Sequence, residues 1–205
     1  MTIEPLLIAT RSSGKLRELR ELFRTAGISI IDLAEAGIEA SAEEDDLESA
    51  DTFEENALAK ARYFARRAKR AVVADDSGLE VDALGGQPGV RSKRWSGRPD
   101  LVGGPLDAAN NARLVEALAG QPNRRARYVC VAAFVEGASE LVCRGASNGV
   151  ILDRPRGEGG FGYDPYFLSD ELGKTFAEAS VEEKEAVSHR GRAFRALIAA
   201  VRSRR

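Results

Sequence analysis

The sequence is poor in the residues that build disulfide frameworks and zinc sites. Its 205 residues include two cysteines, Cys130 and Cys143, and one histidine, His189. One pair of cysteines cannot cross-link a disulfide-rich scaffold, and three scattered residues fall short of the four nitrogen and sulfur ligands of a structural zinc site. Carboxylates are therefore the expected ligands of any metal, and they favour Mg²⁺ or Mn²⁺.

An excess of charge of one sign is also missing. The 30 Lys and Arg against 32 Asp and Glu leave a formal net charge of -2, so no overall field attracts nucleic acid or anionic lipid. The chain opens Met-Thr-Ile-Glu-Pro without a basic and then apolar leader, and its mean hydropathy of -0.28 is too polar for a bilayer. With so few cysteines, these features predict a reduced, cytoplasmic protein without nucleic-acid or membrane partners.

What remains is a globular sequence with 43% hydrophobic and 30% charged residues, which predicts one domain over residues 1–205, or at most two lobes sharing a core. Apolar runs of strand type alternate with helical patterns, which favours a three-layer α/β fold. The predicted elements include a strand at 5–10, a helix at 16–27, a strand at 28–33, a helix at 52–70, a strand at 71–74, a structured loop at 78–98 and a last helix at 192–201.

Residues 10–15, Thr-Arg-Ser-Ser-Gly-Lys, lie between the first strand and the first helix. Backbone N–H groups, small hydroxyls and one ammonium at a helix N-terminus suit a phosphate chain. The segment is not a Walker A loop, since the first glycine and the hydroxyl residue after Lys15 are missing. An ordinary polar turn accounts for this motif alone about equally well.

Asp75, Asp76, Ser77 and Gly78 follow the predicted strand at 71–74. Both carboxylates are therefore expected at the carboxyl end of that strand, where open α/β sheets bind ligands. Adjacent residues of an extended chain point to opposite faces, so one carboxylate can bind metal while the other orients water. An Asx turn that closes the strand is the alternative.

Two late motifs offer groups for a nucleobase. Phe161-Gly162-Tyr163-Asp164 combines a flat ring, flexible backbone and a carboxylate, which suits stacking and hydrogen bonding to a base edge. Lys184, His189 and Arg190 place donors near the start of a late helix, where His189 and Arg190 can bond a keto oxygen. A buried aromatic turn and ordinary helix capping are the alternatives.

Seven motifs in this order resemble one family, the inosine triphosphate pyrophosphatases that act on noncanonical purine nucleotides. The resemblance runs from about Leu6 to the last helix, and the joint match is far more specific than any single motif. The motifs are residues 10–15, Thr52-Phe-Glu-Glu-Asn-Ala57 with Lys60, 74–79, Leu84-Gly-Gly-Gln-Pro-Gly89, Arg94-Trp-Ser-Gly97, 159–165, and Glu183-Lys184 with Ser188-His-Arg-Gly191.

The resemblance implies an elongated mixed sheet flanked by helices, with two lobes around a central active-site cleft, assembled as a homodimer. It implies hydrolysis of ITP, dITP and XTP to the monophosphate and pyrophosphate, with Mg²⁺ or else Mn²⁺ as cofactor. The roles that it assigns are phosphate binding by Thr10, Arg11, Ser12, Ser13, Gly14 and Lys15, proton acceptance and metal binding by Asp76, metal binding by Glu48, and substrate contacts by Ser77, Phe161, Gly162, Tyr163, Asp164, Lys184, His189 and Arg190.

The sequence departs from the family pattern at two places. Ser12 replaces the usual Asn of the phosphate loop, and residues 43–51 differ from the usual Glu-Thr-Gly approach, so Glu44 rivals Glu48 as the metal ligand. Two other functions also fit: a nucleotide pyrophosphatase that prefers modified pyrimidines, and a nucleotide-binding sensor without turnover. The intact Asp75-Asp76 pair and Lys15 argue against the sensor.

Overall fold

The structure, a computed structural model, describes residues 5–204. It contains six strands and five α-helices, with short 3₁₀ helices at Ala42–Asp46, Asp82–Leu84 and Gly89–Arg94. In chain order the elements are β1 (Leu6–Ile8), α1 (Ser13–Thr25), β2 (Ile30–Asp32), α2 (Phe53–Ala68), β3 (Val72–Val81), α3 (Gly103–Ala117), β4 (Arg125–Glu136), β5 (Ser139–Ile151), β6 (Phe167–Ser169), α4 (Val181–Val187) and α5 (His189–Arg202).

The strands form one mixed sheet in the order β2-β1-β3-β4-β5-β6. β1 pairs in parallel with both β2 and β3, whereas β5 and β6 are antiparallel. A parallel pair needs a crossover connection, and α1 supplies it between β1 and β2. The predicted α/β class with a mixed sheet is confirmed, and the cleft between two lobes stays a prediction.

The chain divides into two compact units. The first comprises residues 5–76, 130–145 and 190–204 of the described chain. Its core is built from the apolar faces of α1 and α5 and from β1, β3 and β4, including Ile8, Phe23, Val73, Phe134 and Phe194. Both cysteines are free thiols: Cys130 lies inside this core and Cys143 packs against it.

The second unit comprises residues 77–129 and 146–189. Its core combines the later part of β3, the start of β4 and the buried face of α3 with the aromatic residues Tyr163, Phe167 and Phe176. Tyr128, Phe167 and Phe176 pack with ring centroids 4.7 to 5.8 Å apart, a geometry that stabilises beyond the area it buries. Among residues 5–204, no helix is both long and apolar enough to cross a bilayer.

The predicted end of the third strand is wrong. Strand β3 runs ten residues, from Val72 to Val81, so Asp75 and Asp76 lie inside it and not beyond its carboxyl end. The two carboxylates of residues 75–78 are typical of a turn. Here the backbone stays extended, because the side chain of each aspartate contacts polar partners within the fold. Residues 78–98 are accordingly not one loop: they hold the rest of β3 and two 3₁₀ helices.

Local sequence signals set several helix ends correctly. Thr52 caps α2, its hydroxyl accepting a hydrogen bond from the Glu55 amide at 3.2 Å. Ser180 and Glu183 form the complete reciprocal capping box at α4, which satisfies two of the orphan amides of that helix start. The final helix begins at His189, three residues before the predicted start at Arg192.

Gly149 is a position in the second unit where the fold leaves no room for a side chain. A Cβ there would lie 2.3 Å from the Leu168 carbonyl oxygen and 2.8 Å from the Phe167 ring, across the β5–β6 pair. We expect Gly149→Ala to lower the free energy of unfolding by about 1–3 kcal/mol, as overpacking does. Gly104→Ala in α3 is the control, because nothing lies within 4 Å of the point that its Cβ would occupy. Equal urea midpoints for the two variants would contradict the expectation.

Candidate active site

The phosphate-loop residues 10–15 form the turn between β1 and α1 in the first unit. Ser12 is the N-cap of α1, and its hydroxyl accepts from the Lys15 amide at 3.4 Å. Thr10 is buried and its hydroxyl accepts from the Ser12 amide at 3.2 Å. Amides of the first helical turn and the positive end of the helix dipole favour an anion at this end of α1.

Asp75 is the central acceptor of this unit. Its side chain is 1% exposed, and its Oδ2 lies 3.1 Å from Lys15 Nζ and 3.3 Å from Arg190 Nε. Burial alone would raise the pKa of Asp75, but the charges of Lys15 and Arg190 outweigh burial and hold it well below its ordinary value. Asp75 also raises the pKa of Lys15 against the effect of burial. Both groups are therefore charged at neutral pH.

The neighbouring Asp76 has different partners. Its Oδ2 accepts a hydrogen bond of 2.8 Å from Asn56 Nδ2 on α2. Burial raises the pKa of Asp76, and the nearby carboxylate of Glu48 adds to this rise. Two adjacent aspartates thus carry opposite shifts, as the expectation of different roles requires.

Glu48 lies before α2 and forms an ion pair with the buried Lys60. Glu48 also acts electrostatically on Lys15 and Asp76, which places it within range of both. Glu44 instead binds Arg11 through two contacts of 3.0 and 2.8 Å, and the Arg11 hydrogen bond lowers the pKa of this carboxyl group. The two candidate metal ligands therefore have different partners: Glu44 pairs with Arg11, and Glu48 pairs with Lys60.

The donor set fits a hard divalent cation that also binds substrate phosphates. Within residues 5–204 no group of three or more His, Cys, Asp and Glu residues forms a complete protein cage for a metal. Mg²⁺ does not need one, since it binds through one or two carboxylates plus phosphates and water. Glu48 and Asp76 supply two carboxylates, and the buried Oδ1 of Asp75 makes no hydrogen bond to any described residue. Carboxylate oxygens are ligands that Mg²⁺ prefers.

In the second unit, Asp164 organises the predicted base-binding residues. Its Oδ2 accepts from Lys184 Nζ at 2.6 Å and from the Phe161 amide at 2.8 Å. The Lys184 ammonium lies 5.1 Å from the centre of the Phe161 ring and 5.5 Å from that of Phe176, within cation–π range. Gly160 must lack a side chain, because its Cβ would lie 2.2 Å from Asp164 Oδ2.

The other predicted base-binding residues take different places. His189 is buried and stacks on Tyr128 with ring centroids 4.5 Å apart and planes 5° from parallel. The Tyr163 ring is turned into the core of this unit, where its hydroxyl donates to the Ser92 carbonyl at 2.7 Å. The amide of Gly162 donates to Asp107 Oδ2 at 2.8 Å. Ser77 is half-buried in β3.

Arg190 belongs to the first unit. Its side chain is 3% exposed, and besides Asp75 it contacts Glu18 Oε2 through Nη1 at 2.5 Å. Burial would lower the pKa of Arg190, but Glu18 and Asp75 raise it above its already high ordinary value. Arg190 is therefore a fixed positive charge beside Lys15 and Asp75.

Sequence analysis assigned no role to Asn56, Lys60, Glu18 or Cys130. Asn56 and Lys60 are four residues apart on α2 and face inward with its apolar residues. The sequence signal that could have identified them is two polar residues on one apolar helix face, because buried polar groups need hydrogen-bonding partners. Glu18 and Cys130 carry no such signal, because their contacts to Arg190 and Asp75 depend on segments distant in sequence.

Comparisons with known proteins identify the family. A model of the Ham1 family matches residues 6–200. The dITP/XTP pyrophosphatase of Ralstonia nicotianae is 47% identical over 201 residues, covering 96% of both chains. That of Mycobacterium bovis is 48% identical over 203 residues, covering 98% of this chain and 97% of the relative. The solved structure of the Staphylococcus aureus Ham1 protein superposes with a TM-score of 0.82 at 35% identity, covering 98% of this chain and all (100%) of the other. This chain belongs to the Ham1 family.

Proposed function

We propose that this protein hydrolyses noncanonical purine nucleoside triphosphates, dITP, ITP and XTP, to the monophosphate and pyrophosphate. Relatives named dITP/XTP pyrophosphatase match nearly the full chain at 47 to 48% identity. The main structural support for this reaction is the ion pair of Lys15 with Asp75, next to Asp76, an aspartate of raised pKa. A lysine fixed at a helix N-terminus suits phosphates, and a raised pKa suits a proton acceptor.

In the proposed reaction, water attacks the α-phosphorus and the bond to the bridging oxygen of the β-phosphate breaks. Asp76 takes the proton of the attacking water, while the ammonium of Lys15 neutralises charge that develops on the phosphate oxygens. Asp75 accepts from Lys15 and keeps that ammonium in place without titrating. Amides of residues 10–15 bind the phosphate chain and fix its direction.

Glu48 and Asp76 are the proposed ligands of Mg²⁺. When bound, the ion supplies positive charge against the phosphates and lowers the pKa of a coordinated water. Lys60, paired with Glu48, and Asn56, bonded to Asp76, hold the two carboxylates in place. The resemblance further supports assembly as a homodimer and a cytoplasmic location, which we include in the proposal.

The proposed base contacts are the Phe161 ring for stacking, with Ser77, Gly162, Tyr163 and Asp164 around base and sugar. Lys184, His189 and Arg190 are the proposed donors to keto oxygens. Adenine carries an amino group in place of the 6-keto oxygen, so it would leave buried donors unpaired at a cost of about 1–3 kcal/mol per group.

The product assay tests the reaction itself. With ITP and Mg²⁺, we expect IMP and pyrophosphate in equal amounts, because attack at the α-phosphorus releases the β- and γ-phosphates together. Orthophosphate and IDP would contradict the proposed reaction. XTP, GTP and dUTP under the same conditions separate a purine preference from a preference for modified pyrimidines.

Asp76→Asn tests the proton acceptor without removing the side chain's shape. We expect kcat to fall by at least about 10²-fold, the usual contribution of a general base. The thermal stability of the variant should not fall together with its kcat. The pKa of Asp76 is raised in the folded chain, so its stabilising contribution is present below the ordinary pKa and is lost as pH rises through the folded pKa.

Asn is neutral at every pH, so the metal-free Asp76→Asn variant should melt at or above the wild-type temperature at pH 8. The difference should shrink as pH falls toward 4. Asp75→Asn is the control with the opposite sign: it leaves Lys15 and Arg190 without their shared carboxylate and should melt lower. A near-normal kcat for Asp76→Asn would remove this residue from its proposed role.

His189→Ala and Arg190→Ala test base selection. If these donors bond the 6-keto oxygen, each variant should lose about 5- to 150-fold in kcat/KM for ITP, equivalent to roughly 1–3 kcal/mol. ATP turnover should change much less, so the ratio of ITP to ATP activity shrinks. We expect the larger loss for Arg190, which is charged at every working pH. Equal losses for both nucleotides would assign these residues to the phosphates or to the fold.

A further inference from the structure

Arg11 is the second residue of the phosphate loop, residues 10–15, but its guanidinium binds residues outside this loop. Nε and Nη2 contact the two carboxylate oxygens of Glu44 at 3.0 and 2.8 Å, and Nη1 donates to the Ile38 carbonyl at 3.0 Å. The same group lies 5.9 Å from the centre of the Phe64 ring. A guanidinium held by three hydrogen bonds and an aromatic face has a fixed position.

These partners fix one end of the segment 38–50, called here the acidic segment. The segment is also attached to α2, because the Tyr63 hydroxyl contacts Ser41 Oγ and Glu43 Oε2, both at 3.0 Å. Arg67 lies 3.8 Å from Glu44. The Arg11–Glu44 pair therefore joins the phosphate loop to a segment that is itself attached to a helix.

Asn56 fixes the other end of the acidic segment. Its Oδ1 accepts from the Ala50 amide at 2.9 Å, and its Nδ2 donates to Asp76. Glu48 lies between the two attachment points, four residues after Glu44 and two before Ala50. Its position relative to residues 10–15 is thus set from one side by Arg11 and from the other by Asn56.

We propose that Arg11 and Glu44 are a pair of positioning residues that set Glu48 relative to the phosphate loop. The proposal rests on the proposed roles of Glu48 and residues 10–15, and it assigns Arg11 a role other than direct phosphate binding by its side chain. Glu44 would then influence metal binding without touching the metal. A rigid supporting contact of this kind affects metal affinity through geometry.

Hydrogen–deuterium exchange tests the coupling without any turnover. In the metal-free, nucleotide-free chain, Arg11→Met and Glu44→Gln should each speed amide exchange both in residues 12–16 and in residues 42–48. The two segments respond together because one contact joins them. The control Glu140→Gln removes another bidentate pair, Arg62–Glu140 at 2.7 and 2.6 Å, and should leave both segments unchanged. Faster exchange in only one segment overturns the proposal.

Magnesium titration of ITP hydrolysis tests the consequence. Arg11→Met and Glu44→Gln should raise the Mg²⁺ concentration for half-maximal rate by about 3- to 10-fold, below the 10- to 100-fold typical of groups bonded directly to a metal ligand. At saturating Mg²⁺ and ITP, the kcat of Glu44→Gln should stay within about twofold of wild type. Glu48→Gln, by contrast, should not recover its kcat at high Mg²⁺, and Arg11→Lys should fall between wild type and Arg11→Met.

The double variant Arg11→Met/Glu44→Gln separates a shared contact from two independent ones. Residues that act through one contact are not additive, so the double variant should resemble either single variant. If the fold-changes of the two single variants multiply in the double variant, Arg11 binds phosphate and Glu44 binds metal independently. That result would overturn the proposal. If wild-type protein released no pyrophosphate, the proposed function would fail, whereas the exchange experiment would still decide whether the two segments are coupled.

Discussion

The first unit depends on one buried carboxylate, that of Asp75. An isolated ionised carboxylate in an apolar core costs far more free energy than one side chain's packing returns, so it persists only with cationic partners. Lys15, from the first turn of α1, and Arg190, from the first turn of α5, meet at its Oδ2. Three elements that are far apart in sequence are thereby brought to one point, and removing Asp75 would take from Lys15 and Arg190 the carboxylate that they share.

The same constraint explains why β3 continues through its aspartates. A solvent-exposed Asp-Asp pair favours a turn, but here each backbone position stays extended because each carboxylate reaches a buried partner on its own side of the strand: Lys15 and Arg190 for Asp75, Asn56 for Asp76. Alternation along the strand gives the two neighbours different environments. Their pKa values move in opposite directions for that reason, and one backbone segment carries both a permanent anion and a group suited to proton transfer.

Sequence patterns predicted the α/β class, the starts of α2 and α4 and the family, because these depend on local periodicity, capping residues and ordered motifs. The N-caps Thr52 and Ser180 stand in local capping-box motifs that the sequence shows directly. The extent of β3 and the partners of Arg11 and Arg190 could not be predicted, because they are decided by charges that distant segments bring together. Motifs marked Arg11, Lys15 and Arg190 as candidates, and only the fold showed which carboxylates they contact: Glu44 for Arg11, and Asp75 for both Lys15 and Arg190.

The two glutamates show how such a distinction arises. Glu44 and Glu48 are four residues apart in one acidic segment, and spacing alone left both as candidates for the metal. Glu44 is neutralised by a bidentate guanidinium, with the pKa of its carboxyl group lowered, so its oxygens are committed to holding Arg11. Glu48 is paired with a single ammonium, Lys60, and raises the pKa of Asp76. Two carboxylates that destabilise each other's charge gain most from a divalent cation, and this mutual repulsion supports the proposed Mg²⁺ site at Glu48 and Asp76.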